Sequence, residues 1–216
     1  ELELPEKKNE PQTKQSPIEE QEQKQKLKEI KFQPVEKFIP FMYKIAEGTD
    51  IVIGDLNNDA FQDAVVFLEN TDIDADEIPD FKILILLGTE KGEYIQGSKS
   101  GDVRSTFGVS ETGPVGVTIK NRVITSYHQI AMRAHLELKF RYELSKGKVM
   151  LIGSEEVSYG NAAGDSAGTI SSNYLTNKRI VEFKDEKEQI IKLNSKLTPL
   201  QRINDDIINQ ILQTVD

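Results

Sequence analysis

The 216-residue sequence contains no cysteine and only two histidines. A chain without thiols forms no disulfides, and it lacks a thiolate nucleophile, a thiolate zinc site and an iron–sulfur cluster. Two imidazoles leave little for a catalytic base or a histidine-rich metal centre. Several classes of enzyme are therefore disfavoured.

Positive charge is also scarce, since 27 Lys and Arg residues face 36 Asp and Glu residues and leave a net charge of −9. Nucleic-acid binding depends on Lys and Arg contacts that release counterions from phosphate. The sequence has no basic patch, so we do not expect nucleic acid as the main partner.

The longest apolar runs are short. Ala64–Leu68 and Ile83–Leu87 have five residues each, against the roughly 20 that a helix needs to cross a bilayer. The sequence opens at Glu1 rather than at Met, so we expect an upstream segment such as a signal peptide. Any membrane attachment would depend on that N-terminal segment.

Residues 1–33 are rich in Glu, Lys and Gln and have few large apolar side chains. This composition predicts a charged tether, because it buries too little surface to fold alone. The sequence Ser16-Pro17-Ile18-Glu19 is typical of a helix start and predicts a transient helix to about Ile30. A flexible linker and a spacer from a membrane anchor are both compatible with this segment.

Residues 34–216 predict a single mainly β domain, either a sandwich or a propeller-blade-like antiparallel sheet. In residues 135–142, Leu136, Leu138, Phe140 and Tyr142 alternate with charged residues, so one face is expected to be buried and the other wet. The predicted strands are Ile51–Ile53, Ala64–Leu68, Lys82–Leu87, Val115–Ile119, Val123–Tyr127, His135–Tyr142, Val149–Gly153 and Arg179–Phe183.

The last segment has a helical pattern after Thr198-Pro199, with Leu200, Ile203, Ile207, Ile208, Ile211 and Leu212 at helical spacing. It predicts a C-terminal amphipathic helix that either packs on the domain or binds a partner. The sequence has no repeat of about 20–50 residues, so it does not encode a complete propeller or solenoid.

Acidic residues are concentrated between Asp55 and Asp80, where nine carboxylates occur without a Lys or Arg. Carboxylates at this density repel one another unless the segment is fully solvated or a cation neutralises them. The cluster is therefore the main candidate site of the sequence.

The first half of the cluster has the spacing of a calcium loop. Counted from Asp55, side-chain oxygens fall at positions 1, 3, 5 and 9 and the Phe61 carbonyl at position 7, which suits the oxygen ligands of Ca²⁺. The predicted flanking strands, and Val66 in place of a Glu at position 12, distinguish it from an EF-hand. The alternative is an Asp/Asn-rich turn closed by its own hydrogen bonds.

The pattern strand, Gly-Asp-Leu-Asn-x-Asp-x-x-x-Asp, strand resembles the calcium loop of FG-GAP and VCBS-type repeats, the blade units of integrin-α-like β-propellers. Over residues 35–185 the chain also resembles a family of uncharacterised bacterial envelope proteins, often lipoproteins, with one copy of that loop. The segments that carry this resemblance are Phe38-Ile39-Pro40, Ile83-Leu84-Ile85-Leu86-Leu87-Gly88, Phe140-Arg141-Tyr142, Leu151-Ile152-Gly153 and Ser172-Asn173-Tyr174-Leu175-Thr176.

The resemblance implies an exported lipoprotein in the periplasm, the outer membrane or the cell surface, with a structural Ca²⁺ ion. The implied ligands are Asp55, Asn57, Asp59, the Phe61 carbonyl and Asp63. Two features depart from the family pattern. Ala60 stands where such loops have Gly, and a left-handed backbone there would cost about 1 kcal/mol. The Phe-Gly and Gly-Ala-Pro signatures are also missing, so a true propeller blade is not predicted.

Three weaker candidates remain. Asp72–Asp80 repeats the 1, 3, 5, 9 spacing and is either a solvated hairpin loop or a second metal site. His128 and His135 are expected to be surface imidazoles rather than a shared metal site. The small residues of segment 160–169 predict a mobile loop.

Three functions are compatible with the sequence. We expect a non-enzymatic calcium-binding module of the cell envelope, with a protein or glycan partner and no catalytic residues. The alternatives are a metal-dependent hydrolase that uses the acidic cluster, and an envelope inhibitor or assembly factor. The last would use either the terminal helix or the wet strand face formed by His135, Glu137, Lys139 and Arg141.

Overall fold

Antiparallel β-sheets make up most of the computed structural model, which describes residues 34–72, 80–100, 103–104, 114–160 and 166–212. These residues belong to one compact unit, Phe32–Asp216. The tether predicted for residues 1–33 lies outside the described residues. In the described part of the chain, no helix is long and apolar enough to span a membrane.

The first sheet has six strands in the order β1–β3–β4–β5, with β2 also paired to β3 and β6 to β4. All its pairings are antiparallel. The strands are β1 (Tyr43–Ile45), β2 (Val52–Gly54), β3 (Asp63–Asn70), β4 (Asp80–Gly88), β5 (Tyr94–Lys99) and β6 (Val103–Arg104).

The second sheet has eight strands and is a meander in the order β13–β12–β11–β10–β9–β8–β7, with β14 paired to β10. The turn between β7 and β8 has Asn121 and Arg122 at φ 51° and 63°, as a two-residue type I′ hairpin turn requires. The strands are β7 (Pro114–Lys120), β8 (Val123–Ala131), β9 (Ala134–Glu143), β10 (Lys148–Tyr159), β11 (Ala167–Asn173), β12 (Lys178–Phe183), β13 (Gln189–Lys192) and β14 (Thr198–Pro199).

The two sheets form a sandwich around the main core. Val65, Phe67 and Ile85 of the first sheet pack with Leu136 and Phe140 of the second. On β9 the buried residues Leu136, Leu138 and Phe140 alternate with partly exposed ones, as the sequence predicts, whereas His135 is buried against that pattern. The mainly β, antiparallel prediction is therefore confirmed.

The first sheet is also covered on its other face. Ala64, Val66 and Leu84 belong to a second core that includes Val35. Phe38 and other apolar residues of segment 35–51, here called the N-terminal segment, pack against this core. That segment begins with the 3₁₀ helix Val35–Phe38. Burial on both faces explains why β3 and β4 carry uninterrupted apolar runs instead of an alternating pattern.

The C-terminal helix is confirmed and packs on the main core. After the 3₁₀ helix Leu200–Arg202, helix α1 spans Asp205–Leu212. It begins there because the Asn204 side chain accepts a hydrogen bond from the Ile207 amide at 3.1 Å and caps the helix. Ile208 is buried in the core, so the apolar stripe covers the sandwich.

The prediction of a loop over residues 160–169 is wrong at its end, because β11 begins at Ala167. At Gly168 a small residue is needed, since the strand lies between β10 and β12. A Cβ atom at Gly168 would collide with the Phe183 ring and the Glu182 carbonyl. Residues 161–165 lie outside the described residues.

Removal of a core aromatic side chain should separate packing from surface effects. Phe67 is 1% exposed between the sheets, whereas Phe41 is 88% exposed. We expect Phe67→Ala to lower the free energy of unfolding by about 3–5 kcal/mol, and Phe41→Ala to change it by less than about 0.5 kcal/mol. Urea denaturation measures both, and equal effects would contradict the assignment of the core.

Candidate functional site

The candidate calcium loop connects β2 to β3 and lies where the two sheets approach each other. A Cβ atom at Gly54 would lie 3.0 Å from Ile119 Cγ2 of β7. A side chain at the residue before the loop would therefore require Ile119 to shift. Leu56, inside the loop, is 2% exposed and belongs to the main core, so the loop is anchored by packing as well as by its strands.

Asp63 is the anchor of the loop. Its carboxylate is fully buried; Oδ2 accepts a hydrogen bond from the Leu56 amide at 2.7 Å, and Oδ1 accepts one from the Gly88 amide at 2.9 Å. Burial first, and then the charges of Asp59 and Asp55, raise the pKa of Asp63 to about 6 against the opposing effect of these two hydrogen bonds. Asp63 thus ties the loop to the end of β4.

The other side chains of the loop bind its own backbone. Asp55 Oδ1 accepts from the Asn58 amide at 2.6 Å, and its Oδ2 accepts from the Ala60 amide at 3.3 Å. Asp59 Oδ1 accepts from the Phe61 amide at 2.9 Å, and its Oδ2 accepts from Asn57 Nδ2 at 2.7 Å. These are the contacts of the Asx-turn alternative, although a carboxylate oxygen retains a second lone pair.

The fit of the loop to calcium is therefore partial. Four of the predicted ligands lie in the loop and the fifth, Asp63, begins β3; their oxygens are of the type that Ca²⁺ prefers. In the described residues, however, no three Asp, Glu or His side chains gather as a metal-binding group. Ion binding would require the carboxylates of Asp55 and Asp59 to turn from the loop amides toward a common point.

The negative charge of the loop has no counterion from the described residues. Their recorded ion pairs do not involve Asp55, Asp59 or Asp63. The effect of the first two carboxylates on the pKa of Asp63 indicates that the three charges interact. Of the second acidic stretch, Asp72–Asp80, residues 73–79 lie outside the described residues.

A polar cleft of 390 Å³ adjoins the loop, which sequence reasoning missed. Asn57 lines it from the loop side, and Arg122 and Arg141 line it from the second sheet. Arg141 is paired with Glu143, with Nη2 and Oε1 2.6 Å apart. Strand alternation put Arg141 on the wet face, but the sequence carries no signal that the β7–β8 turn lies beside the loop.

A second cleft of 300 Å³ lies between α1 and the second sheet. Arg179 lines it and is almost completely buried, and its Nε donates to Ser172 Oγ at 2.8 Å. Sequence reasoning missed this residue too, since its position in a predicted strand gave no sign of burial.

The prediction that both histidines are surface imidazoles is wrong. His135 is 6% exposed, because Tyr127 stacks on its ring at 4.4 Å and the Tyr159 hydroxyl lies 3.0 Å from its Nδ1. His128 packs edge-on against Phe67 at 5.9 Å, with its Nε2 2.9 Å from Ser126 Oγ. Tyr127 and Tyr159 on the neighbouring strands cover His135, whereas Phe67 of the opposite sheet packs on His128, which is partly buried.

The rest of the predicted wet face is partly exposed and pairs its own charges. Lys139 Nζ lies 2.5 Å from Glu155 Oε2 and 3.5 Å from Glu137 Oε2. Exposed pairs of this kind contribute little to stability. The face therefore presents a mixture of charges rather than a field of one sign.

In comparisons with known proteins, no family model matches the chain, and no curated protein or solved structure matches it significantly. The resemblance to FG-GAP-type loops and to the envelope family thus stays a prediction.

The backbone at Ala60 gives a direct test of strain in the loop. Its φ is 71°, a left-handed conformation in which a Cβ atom costs about 1 kcal/mol. We expect Ala60→Gly to raise the free energy of unfolding by about that amount. Ala131→Gly, in β8, should lower it by about 0.5–1 kcal/mol. Chemical denaturation distinguishes the two, and a loss of stability in Ala60→Gly would contradict the strained loop.

His128 should make stability depend on pH. Burial lowers its pKa to about 4 from an ordinary value of 6.5, so the unfolded chain takes up the proton first as the pH falls. Above about pH 6.5 the neutral ring makes its full contribution to the free energy of unfolding. That contribution decreases as the pH falls toward 4. Between about pH 7 and about pH 5 the loss should be about 2 kcal/mol. His128→Gln should remove that part of the slope in urea denaturation; equal slopes would refute the assignment.

Proposed function

We propose that this chain is an exported calcium-binding β domain that acts as a non-enzymatic binding or structural module of the bacterial cell envelope. The observation that supports it most is the loop of Asp55, Asn57, Asp59, Phe61 and Asp63. It gathers interacting carboxylates next to a buried anchor, without a counterion from the described residues. A hard cation with oxygen ligands would neutralise this charge.

The proposed role of Ca²⁺ is structural. Asp63 connects the loop to Gly88 at the end of β4, so an ion that reduces repulsion in the loop would strengthen the join between β2, β3 and β4. Ligands that bind only the folded state stabilise it by mass action. Dissociation constants of about 10⁻⁴–10⁻³ M are typical of extracellular calcium modules and would suffice here.

The proposed partner is a protein or glycan of the cell envelope. The cleft beside the loop supports this choice. Asn57 of the loop forms part of its wall, so an ion that holds the loop in place would also hold that wall in place for a partner. Exported location and lipid anchoring rest on the resemblance described above, and they are part of the proposal.

The hydrolase alternative is less favoured. A metal-dependent hydrolase needs an activated water and a base beside the ion, and both histidines of the chain are engaged elsewhere, His135 with Tyr127 and Tyr159 and His128 with Phe67. An inhibitor or assembly factor that uses the wet face has no specific contact in its favour, since Lys139 pairs with Glu137 and Glu155.

Thermal unfolding of the full chain tests the proposal. We expect about 5 mM CaCl₂ to stabilise the fold by about 1.4 kcal/mol relative to EDTA for a dissociation constant near 0.5 mM. That corresponds to a rise in Tm of about 3–5 °C, and MgCl₂ should have a smaller effect. Asp59→Ala should abolish the rise.

Glu90→Ala is the matched control, because it removes an exposed carboxylate from the turn between β4 and β5. It should retain the full response to calcium. Identical Tm values in CaCl₂ and EDTA, together with no heat in a calcium titration, would reject the calcium site. Equal loss in the two variants would point to a general effect of charge.

A further inference from the structure

The last strand of the meander, β13, is an unprotected sheet edge. It pairs with β12 on one side and ends the order of the second sheet on the other. All four of its residues are exposed, and Ile190 and Ile191 are 60% and 39% exposed. Sheet edges that carry exposed apolar residues are ready templates for pairing with another strand.

The charges around β13 are not balanced within the described chain. Lys192 lies directly opposite Lys178 on β12, and like charges in facing positions destabilise a sheet. The recorded ion pairs of the described residues include neither Lys192 nor Glu188, an exposed residue just before the strand. Ile190 and Lys192 lie on the same face of β13, since alternate residues of a strand point the same way. Glu188 precedes the strand and would join that face if pairing extended the strand by one residue.

We propose that β13 pairs antiparallel with β13 of a second copy of this chain, which joins two eight-stranded sheets edge to edge. In a two-fold register centred on Ile190, this residue faces Ile190 of the second copy. Glu188 then faces Lys192 of the second copy, and the same pair forms again across the axis. The two carboxylates offset the Lys192–Lys178 repulsion in both copies.

The sequence of the strand favours a second copy over an unrelated peptide. Ile190 lies opposite Ile180 of β12, so the two-fold register continues an aliphatic row through Ile180, Ile190 and their equivalents. Aliphatic and opposite-charge pairs in facing positions are the ones that stabilise neighbouring strands. An isologous interface needs this self-complementarity, and it is independent of the calcium site.

Cysteine cross-linking tests the register, because the chain has no other thiol. Ile190→Cys should give a disulfide-linked dimer under mild oxidation, since facing residues come within disulfide range. Gln189→Cys is the matched control. In this register residue 189 faces residue 191 of the second copy, so the two introduced thiols are offset by two residues and lie beyond the reach of a disulfide. A dimer from Gln189→Cys that forms as readily as that from Ile190→Cys would overturn the register.

Sedimentation equilibrium of the full chain tests the association itself. We expect the dimer fraction to rise between about 10 μM and about 500 μM, and Ile190→Lys to weaken dimerisation at least about tenfold. Met132→Lys, at an 84% exposed position in the β8–β9 turn, should leave it unchanged.

Exchange of the charges at Glu188 and Lys192 provides the decisive test of the register. Glu188→Lys and Lys192→Glu should each weaken the dimer, and the double variant should recover it. A wild-type chain that stays monomeric at every concentration, or a double variant no better than the single ones, would refute the proposal.

Discussion

The structure depends on the burial of both faces of the β3–β4 hairpin. One face packs against the second sheet and the other against the N-terminal segment, so these two strands are shared by both cores. Asp63 begins β3, and its carboxylate is as inaccessible to water as the apolar residues after it. A buried carboxylate must be satisfied by hydrogen bonds, and the amides of Leu56 and Gly88 supply them. The position of the acidic loop therefore follows from the packing of the sheet.

Two opposing demands shape the loop itself. Its backbone turns through left-handed conformations at Asn58 and Ala60, and short side chains that accept amide hydrogens make such a path possible. The same side chains bring negative charge close to Asp63, which opposes ionisation of its carboxylate. A loop of this kind is held by hydrogen bonds at an electrostatic cost, and the proposed cation would reduce that cost.

The sequence allows β2–β4, β7–β10, β12 and the acidic loop to be located, because alternation in β9 and the spacing of Asp55, Asn57 and Asp59 are local patterns. It does not predict β1, β5, β6, β11, β13 and β14. Features that depend on contacts between residues distant in the sequence cannot be predicted from local patterns. The cover of His135 comes from Tyr127 and Tyr159 on the neighbouring strands, and the cleft beside the loop needs the turn at Arg122. Strand β11 was missed for a different reason, since its Ala, Gly and Asn residues are of types depleted in strands, although close packing against Phe183 and the Glu182 carbonyl requires Gly at position 168.

The meander of the second sheet bears on the order of folding. Its strands from β7 to β13 pair with their neighbours in the sequence, so each hairpin closes a short loop at low entropic cost. By contrast, β14 returns across three strands to pair with Met150 and Leu151, and Leu200 and Ile208 then complete the main core. This long closure is expected to form late and to open first, which would appear in hydrogen exchange as weaker protection of α1 than of β9.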